Sequence, residues 1–397
     1  MFRLAIRMLV GDTTKWLGVV LGVLFCAFLI THMLSMFAGM MARTFALVSD
    51  IPFVDIWVMD PAVEYTDEPA GMPSTALRRV QSAPGVEWAV PLYTGTLRAR
   101  LPNGRFRGVL VIGIDDASLV GAPEKLTKGQ IDALRGADAA IVDEEGARTL
   151  LRMPVSPSVH EPGWNRPDLT GQTRPLDVGD ELLLNDHRLK IVGMAELGTR
   201  LISKPVVYTT YSRALAIAPP ERNLLSFVLV KVKPGEDHQA AARRIEAVTG
   251  LKARTALEFK QDPFWYFVNT TGVVGRILFM VILAAVVGSA VSALLLYVFT
   301  NDNLKYYGVL KALGAADRTV AMMVVAQAAV CGLLGFGLGV GLSVLVSHLV
   351  SRKAMPYLLM WPTMGATLAT VMLVCTLSAL LSARKVVKLE PGIVFRA

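Results

Sequence analysis

Long uncharged stretches determine the organisation of this chain. No Asp, Glu, Lys or Arg occurs in residues 16–42, 277–301, 319–351 or 354–383. A helix needs about 20 apolar residues to cross a bilayer, and each stretch is longer than that. The pattern therefore predicts four transmembrane helices, with one large polar segment after the first helix and two short connections among the others.

The large polar segment alternates strand-like and helical runs. Residues 55–60, 107–115, 180–185, 188–195, 204–210 and 226–232 read as strands, from "DIWVMD" to "SFVLVKV". The runs "STALRRVQSA" and "EDHQAAARRIEAV" read as helices. Residues 43–266 are long enough for one or two domains with their own cores. We predict an α+β domain inserted between transmembrane helices one and two.

A weak internal repeat indicates how that domain is built. "ALRRVQSAPGV" (76–86) and "AARRIEAVTGL" (241–251) share the pattern A-x-R-R-[VI]-x-x-x-x-G-[VL]. In each copy a helix ends at a glycine and a strand-like run follows, which is typical of a strand–helix–strand unit. The repeat predicts one domain assembled from both ends of the segment, with a second subdomain inserted at about 105–215.

Composition agrees with a membrane protein and excludes some partners. Hydrophobic residues make up 53% of the 397 residues and charged residues 18%, against about a quarter charged in soluble domains. The net charge of +8 is spread along the chain without a basic block, so no nucleic-acid partner is expected. All three cysteines lie in the uncharged stretches, which leaves the polar segment without a disulfide framework.

Basic residues near the ends of the spans predict the orientation. The N-terminal segment, the 302–318 connection and the tail together carry ten Lys and Arg, and the short connection between the last two spans carries Arg352 and Lys353. Because Lys and Arg mark the cytoplasmic side, both termini and residues 302–318 are expected in the cytoplasm. Residues 43–266 are then extracytoplasmic, and the chain is a multi-pass membrane protein.

The first apolar stretch resembles a secretory signal in having Arg3, Arg7 and Lys15 before it. A signal peptide has an apolar region of about 7 to 15 residues, whereas residues 16–42 are 27 residues long. We expect an uncleaved membrane anchor. The predicted organisation is 1–42 N-terminal segment and first span, 43–266 extracytoplasmic domain, 267–301 second span, 302–318 cytoplasmic connection, 319–351 third span, 354–383 fourth span, and 384–397 cytoplasmic tail.

No pattern typical of an enzyme is present. The sequence has no G-x-x-x-x-G-K-[ST] motif for nucleotide phosphates, and its five histidines have no metal-ligand spacing. The acidic runs 114–116 and 142–146 fit a solvated loop or helix start better than a metal or acid–base site. The spans contain no charged residue of the kind that ion-driven carriers place near the midplane. We therefore expect no catalytic residue, no metal site and no cofactor in this chain.

Glycines in the third span occur at a spacing that favours close helix packing. In "CGLLGFGLGVGLSVLVS", Gly335 and Gly339 are four residues apart, and so are Gly337 and Gly341. Small residues at this spacing let helix backbones approach one another in membranes. The pattern fits packing within the chain or a face for a second copy, and the sequence leaves both open.

The connection at 302–318 is a polar interruption between two apolar spans. Within "NDNLKYYGVLKALGAADRT", Tyr306, Val309, Leu310 and Leu313 fall at helical spacing on one apolar stripe. Leu304, Tyr307 and Lys311 lie on the other side, and Gly314 predicts the end of the helix. Such a helix rests on lipid or docks on a partner, and the spacing alone does not decide between these alternatives.

Two motifs resemble those of a known family. "YYGVLKALGAADRTV" resembles the E-[IV]-G-[IL]-[LR]-[KR]-A-[LM]-G-A motif of FtsX-like, MacB-type ABC transporter permeases. The tail "ARKVVKLEPGIVFRA" resembles the A-x-[RK]-x-[AV]-x-x-[LI]-x-P-x-x-x-[LF]-R ending of the same family. The layout of one span, a large domain and three spans also agrees, and the chain resembles the DevC-like exporter branch of this family. Tyr306 stands where the family has a glutamate. If that glutamate forms an ion pair with the ATPase in other members, this chain cannot form the same pair.

The resemblance implies the permease subunit of an ABC system whose ATPase is a separate chain. It further implies a location in the inner membrane of a bacterial cell, a permease homodimer, contact with membrane lipid and a periplasmic adaptor protein. The implied activity is export of an amphiphilic or lipid-like substrate. Two alternatives stay open: a mechanotransmitter that regulates an extracytoplasmic protein such as a cell-wall hydrolase, and a membrane-anchored enzyme, against which the missing site argues.

The same resemblance assigns the connection as the coupling helix that touches the ATPase. We expect Lys311 to matter less to this docking than the apolar stripe. The residues expected at the contact are Asp302, Lys305, Tyr306, Tyr307, Gly308, Val309, Leu310, Lys311, Leu313 and Gly314.

Overall fold

The computed structural model contains two compact units, residues 1–42 with 267–397 and residues 43–266. The residues described are 7–9, 11, 13–64, 66, 69–155, 172–198, 200, 204–220, 224–266, 272–350 and 356–387.

Four long apolar helices make up most of the first unit, and the predicted membrane class is confirmed. They are α1 (Thr13–Thr44), α8 (Val273–Asp302), α10 (Asp317–Leu349) and α11 (Trp361–Val387), and the short helix α9 (Leu304–Ala312) lies between α8 and α10 in the chain. Buried side chains of α1, α8, α10 and α11 form a common core with Tyr307 of α9.

The fourth span begins later than the sequence pattern predicts. Residues 356–360 have no regular secondary structure, and α11 starts at Trp361. Pro356 has no N–H for a helix, and its backbone lies so close to Gly39 of α1 that a Cβ on this glycine would be 2.5 Å from the Pro356 carbonyl. The N–H of Leu358 donates to the carbonyl of Ser35 at 3.0 Å. These contacts hold the segment as an extended strap against α1.

The second unit is an α+β domain, as predicted. Its strands are β1 (Ile56–Met59), β2 (Val86–Arg100), β3 (Phe106–Ile114), β4 (Leu126–Gly129), β5 (Ala139–Asp143), β6 (Met153–Pro154), β7 (Thr173–Arg174), β8 (Glu181–Leu184), β9 (His187–Ala195), β10 (Val206–Thr210), β11 (Phe227–Val232) and β12 (Lys252–Thr255). Its helices are α2 (Ala46–Asp50), α3 (Thr75–Gln81), α4 (Glu144–Thr149), α5 (Tyr211–Ile217), α6 (His238–Thr249) and α7 (Ala256–Tyr266), with a 3₁₀ helix at Ile131–Arg135.

The internal repeat forms one end of this domain. Strands β12, β1, β11 and β2 are neighbours in that order, all antiparallel, and α3 and α6 pack on one face of them. This is the split β-α-β arrangement of ferredoxin-like domains. In both copies the glycine after the helix, Gly85 or Gly250, has φ in the left-handed region, which a residue with a Cβ adopts at a cost.

A closed barrel is formed by strands β2, β3, β5, β8, β9 and β10. Strand β8 pairs with both β2 and β9, so the series β2, β3, β10, β5, β9 and β8 closes on itself. Strand β2 belongs to both halves, because Val86–Leu92 pairs with β11 and Tyr93–Arg100 pairs with β3. Most of the barrel strands lie in the stretch predicted as an inserted subdomain, and β2 is the continuous element that links it to the ferredoxin-like half.

Aromatic rings fill the core on the other face of the ferredoxin-like sheet. Trp57, Phe227 and Phe259 are buried with their ring centroids 5.6 to 5.9 Å apart. Phe259 belongs to α7, and α2 contributes Leu47 and Val48 to the same core. This packing fixes α2 and α7, the two helices next to the spans in the chain, to the sheet.

Candidate functional site

Helix α9 is a separate helix between two spans, and its ends are set by the local sequence. At its start, buried Asn303 donates from its side-chain amide to the carbonyl of Phe299 at 2.8 Å, which closes the end of α8. At its end, Gly314 has φ of 92° and its N–H donates to the carbonyl of Lys311 at 3.0 Å. Glycine suits this left-handed position, and the chain can then turn into α10 at Asp317.

One face of α9 is fixed to the membrane unit. Tyr307 is fully buried, and its hydroxyl donates to Oε1 of Gln327 in α10 at 2.8 Å. Burial raises the pKa of Tyr307 to about 12, and the hydrogen bond to Gln327 opposes this only in part, so the phenol stays neutral at physiological pH. Gly308 is buried beside it, and the Lys311 ammonium lies 2.9 Å from Asp317 at the start of α10. Tyr307, Gly308 and Lys311 therefore form the anchored face of α9.

The opposite face of α9 is exposed and mostly apolar. Tyr306 is 63% exposed, Val309 44% and Leu313 79%, with Lys305 also exposed among them. Leu310, which the sequence places on the same stripe, is half-buried at the edge of this face. We call Lys305, Tyr306, Val309 and Leu313 the outer face of α9. An exposed apolar helix face with a fixed back is suited to bind another protein.

A charged pair and an open cleft adjoin the outer face. Lys15 of α1 contacts Asp302 at the end of α8 at 2.8 Å, with both side chains partly exposed. Tyr306 lies in the wall of a cleft of about 610 Å³, whose other lining residues are Arg7, Met8, Gly11, Thr13, Lys15, Asp302 and Asn303. The start of α1 is thus part of the same surface as α9, which the sequence pattern did not indicate.

The two glycine pairs of α10 have different surroundings. A Cβ on Gly335 would lie 2.6 Å from Cγ1 of Val23, and one on Gly339 would lie 2.6 Å from Cβ of Ala27. Both glycines therefore face α1. Among the described residues, no heavy atom lies within 4 Å of a Cβ on Gly337 or Gly341. Assignment of either pair to a contact between two copies of the chain stays a prediction.

Two polar residues inside the spans connect neighbouring helices, and one of them, Gln327, was not expected from the sequence. Gln327 is the partner of Tyr307, and a single Gln in an uncharged span was the signal that could have identified it. His32 of α1 lies 3.3 Å from the Ser343 hydroxyl, which lies 2.9 Å from the hydroxyl of Tyr357 in the strap. The contacts Tyr307–Gln327 and His32–Ser343 are buried and join two helices each. Hydrogen bonds between helices satisfy polar groups in a membrane.

The acidic runs of the second unit have structural roles. Both carboxylate oxygens of Asp143 accept a backbone N–H at 2.6 Å, one from Gly146 at the start of α4 and one from Val206. Burial raises the pKa of this carboxyl group despite these hydrogen bonds. Asp115 caps the turn at Ser118, and Asp116 accepts from the Ser212 hydroxyl at 2.5 Å. These carboxylates are used within the fold.

Comparisons with solved structures give low overall similarity. The extracellular domain of the noncanonic ABC-type transporter YknZ from Gram-positive bacteria shares 17% identity over 51% of this chain and 98% of its own, with a TM-score of 0.33. The periplasmic region of MacB from Actinobacillus actinomycetemcomitans shares 12% identity over 57% of this chain and 99% of its own, at 0.35. A domain of a permease protein from Porphyromonas gingivalis shares 15% identity over 51% of this chain and 86% of its own, with a TM-score of 0.29. No curated protein matches the sequence.

Family comparisons cover nearly the whole chain. Residues 278–391, from early α8 to the tail, match the FtsX-like permease C-terminal family. Residues 16–248, from α1 to α6, match the MacB-like periplasmic core domain family. The second match alone covers more than half of the chain. The chain therefore belongs to the family of ABC transporter permeases with a MacB-like periplasmic core domain and an FtsX-like C-terminal region.

Proposed function

We propose that this permease couples ATP hydrolysis on a separate ATPase subunit to movement of its extracytoplasmic domain. The observation that carries the proposal is the two-sided character of α9. Its outer face offers Tyr306, Val309 and Leu313 to a partner, while its anchored face is joined to α10 through Tyr307 and Gln327. Because α9 contacts α8, α10 and α11, a displacement of α9 by a bound partner would be transmitted to three spans.

The coupling is a shift between two arrangements of the spans. An ATPase dimer that binds one arrangement better in its ATP-bound form increases the population of that arrangement. Helix α1 continues from the membrane to Thr44, and α2 begins two residues later. The motion therefore has a direct covalent path into the extracytoplasmic domain. Two copies of the chain and two ATPase subunits would form the complex.

Docking of the ATPase on the outer face is tested by Val309→Asp. Burying a medium apolar side chain contributes about 1.5 to 3 kcal/mol, and a carboxylate there would also require desolvation. We expect the affinity for the ATPase to fall by about tenfold or more. The measurement is co-purification of the ATPase with the full-length permease in detergent, followed by titration of the purified subunits.

The matched control is Val248→Asp in α6. Val248 is 56% exposed, similar to Val309, but lies in the extracytoplasmic domain. It should leave the ATPase affinity unchanged. Equal affinities for wild type and Val309→Asp, with normal membrane insertion, would contradict docking through this face.

The proposed topology places residues 43–266 outside the cytoplasm and both termini and α9 inside. Its support is the asymmetry of Lys and Arg described above. A cysteine introduced at Asp132 should react with a membrane-impermeant maleimide in intact cells, and one at Lys305 should react only after permeabilisation. The native cysteines are buried and give a low background. The opposite labelling pattern would rule out this topology.

We further propose that the moved substrate is amphiphilic or lipid-like and is passed to a periplasmic adaptor protein. The uncharged spans support this, because they offer no ionised lining for a polar solute. Regulation of an extracytoplasmic enzyme without transport is the second candidate. The continuous strand β2 favours it, since a strand shared by both halves of the domain can transmit motion from one half to the other.

A further inference from the structure

Large exposed apolar side chains in the unit 43–266 are concentrated next to the spans in sequence. Among the described residues of this unit, these side chains are Phe53, Val155, Val178, Leu224, Val248, Leu257, Phe264 and Trp265. Three of them belong to α7, and Phe53 follows α2. The remaining four are scattered singly over loops and one helix, as on any soluble domain.

Helix α7 is apolar on two faces. Phe259 and Pro263 are buried in the domain. Leu257, Phe264 and Trp265 lie at positions i, i+7 and i+8 on the outside, with Leu257 68% and Trp265 60% exposed. The Phe264 and Trp265 rings are in edge contact, 5.4 Å apart. Exposed Gln261 lies among these side chains, so the outer side of α7 mixes polar groups with large apolar ones, as in a helix that lies at a membrane surface.

Two covalent connections join this part of the domain to the spans. Trp265 precedes Val273, the first residue of α8, by eight residues, and Phe53 follows Thr44, the last residue of α1, by nine. Helices α2 and α7 share one core, so the two connections leave the same part of the domain. Helix α7 therefore lies only a few residues from the second span along the chain.

The side chains on α7 are those that favour a lipid headgroup region. Tryptophan is enriched at membrane interfaces because its ring is apolar and its N–H is polar. Lys260 lies one turn before Phe264 and is half-buried. A lysine can extend from an apolar face to lipid phosphates. This combination of an aromatic pair, a leucine and a lysine fits lipid better than an acidic or polar protein surface.

We propose that Leu257, Phe264 and Trp265 of α7 lie in the headgroup region of the outer leaflet, so that α7 is an interfacial helix. Since Phe259 on the opposite face of α7 packs on Trp57 of β1, the lipid contact would hold the sheet through α7. The domain would then move against a fixed point at the membrane surface. This inference rests on the proposed topology, which places residues 43–266 outside the cytoplasm, and does not depend on binding of an ATPase.

The test is spin labelling of the full-length permease in nanodiscs of phosphatidylcholine and phosphatidylglycerol. Leu257→Cys and Trp265→Cys carry the label, and Val248→Cys is the matched exposed control in α6. The three native cysteines are buried and can stay in place. We expect labels at 257 and 265 to collide several-fold more with oxygen, relative to a water-soluble nickel chelate, than the label at 248 does. Water-like accessibility at 257 or 265 would overturn the proposal.

A second copy of the chain is the competing cover, and the same labels identify it. In that case collisions with both reagents would fall and the spectra would show dipolar broadening between labels, which would also overturn the lipid assignment. A second measurement uses unlabelled protein in brominated phosphatidylcholine. The fraction of tryptophan emission quenched should be smaller for Trp265→Phe than for wild type, and an unchanged fraction would contradict lipid contact.

Discussion

Replacing Gly339 by valine is expected to destabilise the membrane unit severely. A Cβ at this position would lie 2.6 Å from Cβ of Ala27, 2.7 Å from the carbonyl oxygen of Leu24 and 2.9 Å from the N–H nitrogen of Phe28. Two of these three atoms belong to the backbone of α1 and cannot rotate away. The valine therefore requires α1 and α10 to separate. Overpacking in a core typically costs about 1 to 3 kcal/mol, and we expect a larger loss of stability here because the backbone of α1 must move.

The effect is measured as the thermal midpoint of the purified permease in detergent, with Gly341→Val as the matched control. Gly341 lies on the same helix, and a Cβ there would have no heavy atom of the described residues within 4 Å. We expect a fall in the midpoint of many degrees for Gly339→Val and little change for Gly341→Val in the monomer. Equal midpoints for the two variants would show that α1 and α10 do not pack as described. A fall for Gly341→Val alone, together with loss of dimer, would place a second copy on that side.

The spans and their packing positions follow from local sequence, and their partners do not. Uncharged length identifies a helix that crosses the bilayer, and a four-residue spacing identifies glycines on one face. Neither shows that Gly335 and Gly339 meet α1 while Gly337 and Gly341 have no close neighbour among the described residues. That distinction depends on which helices surround α10, and this is a property of tertiary structure.

Helix α9 shows the same division between pattern and contact. Helical spacing places Tyr306, Val309 and Leu313 on one side and Tyr307 and Lys311 on the other. Which side is covered depends on Gln327, twenty residues further along the chain. The apolar stripe suggested the outer face, but the anchored face contains the most buried tyrosine of the connection, because a phenol can be buried when its hydroxyl has a partner.

In the extracytoplasmic domain, strands with strong apolar runs were predicted and their pairing was not. The runs at 107–115 and 188–195 correspond to β3 and β9. Strand β5, with the short run "AAIVD", was not predicted, because alanine has low strand propensity and its burial on both sides comes from neighbours distant in sequence. Closure of the barrel likewise depends on pairing of β8 with β2, more than 80 residues earlier. No local sequence pattern indicates this pairing.

Reversing the charge of Lys311 is expected to uncouple the permease from its ATPase without releasing the ATPase. The Lys311 side chain is only 11% exposed and its ammonium lies 2.9 Å from Asp317. In Lys311→Glu two carboxylates would face each other where α9 meets α10. A partly exposed ion pair contributes about 1 kcal/mol or less to folding, so the protein should still fold and insert. The outer face of α9 is unchanged, so the ATPase should still bind.

The expected loss is in transmission, because α9 would no longer be held at its C-terminal end against α10. Hydrogen–deuterium exchange of residues 43–266 in the reconstituted complex should change with ATP in wild type and much less in Lys311→Glu. The double variant Lys311→Glu with Asp317→Lys restores opposite charges and should recover most of the ATP-dependent change. Lys305→Glu, on the outer face, should instead weaken ATPase binding. If Lys311→Glu loses the ATPase to the same extent as Val309→Asp, the face assigned as the anchor is itself part of the docking surface, and the two-sided role of α9 is wrong.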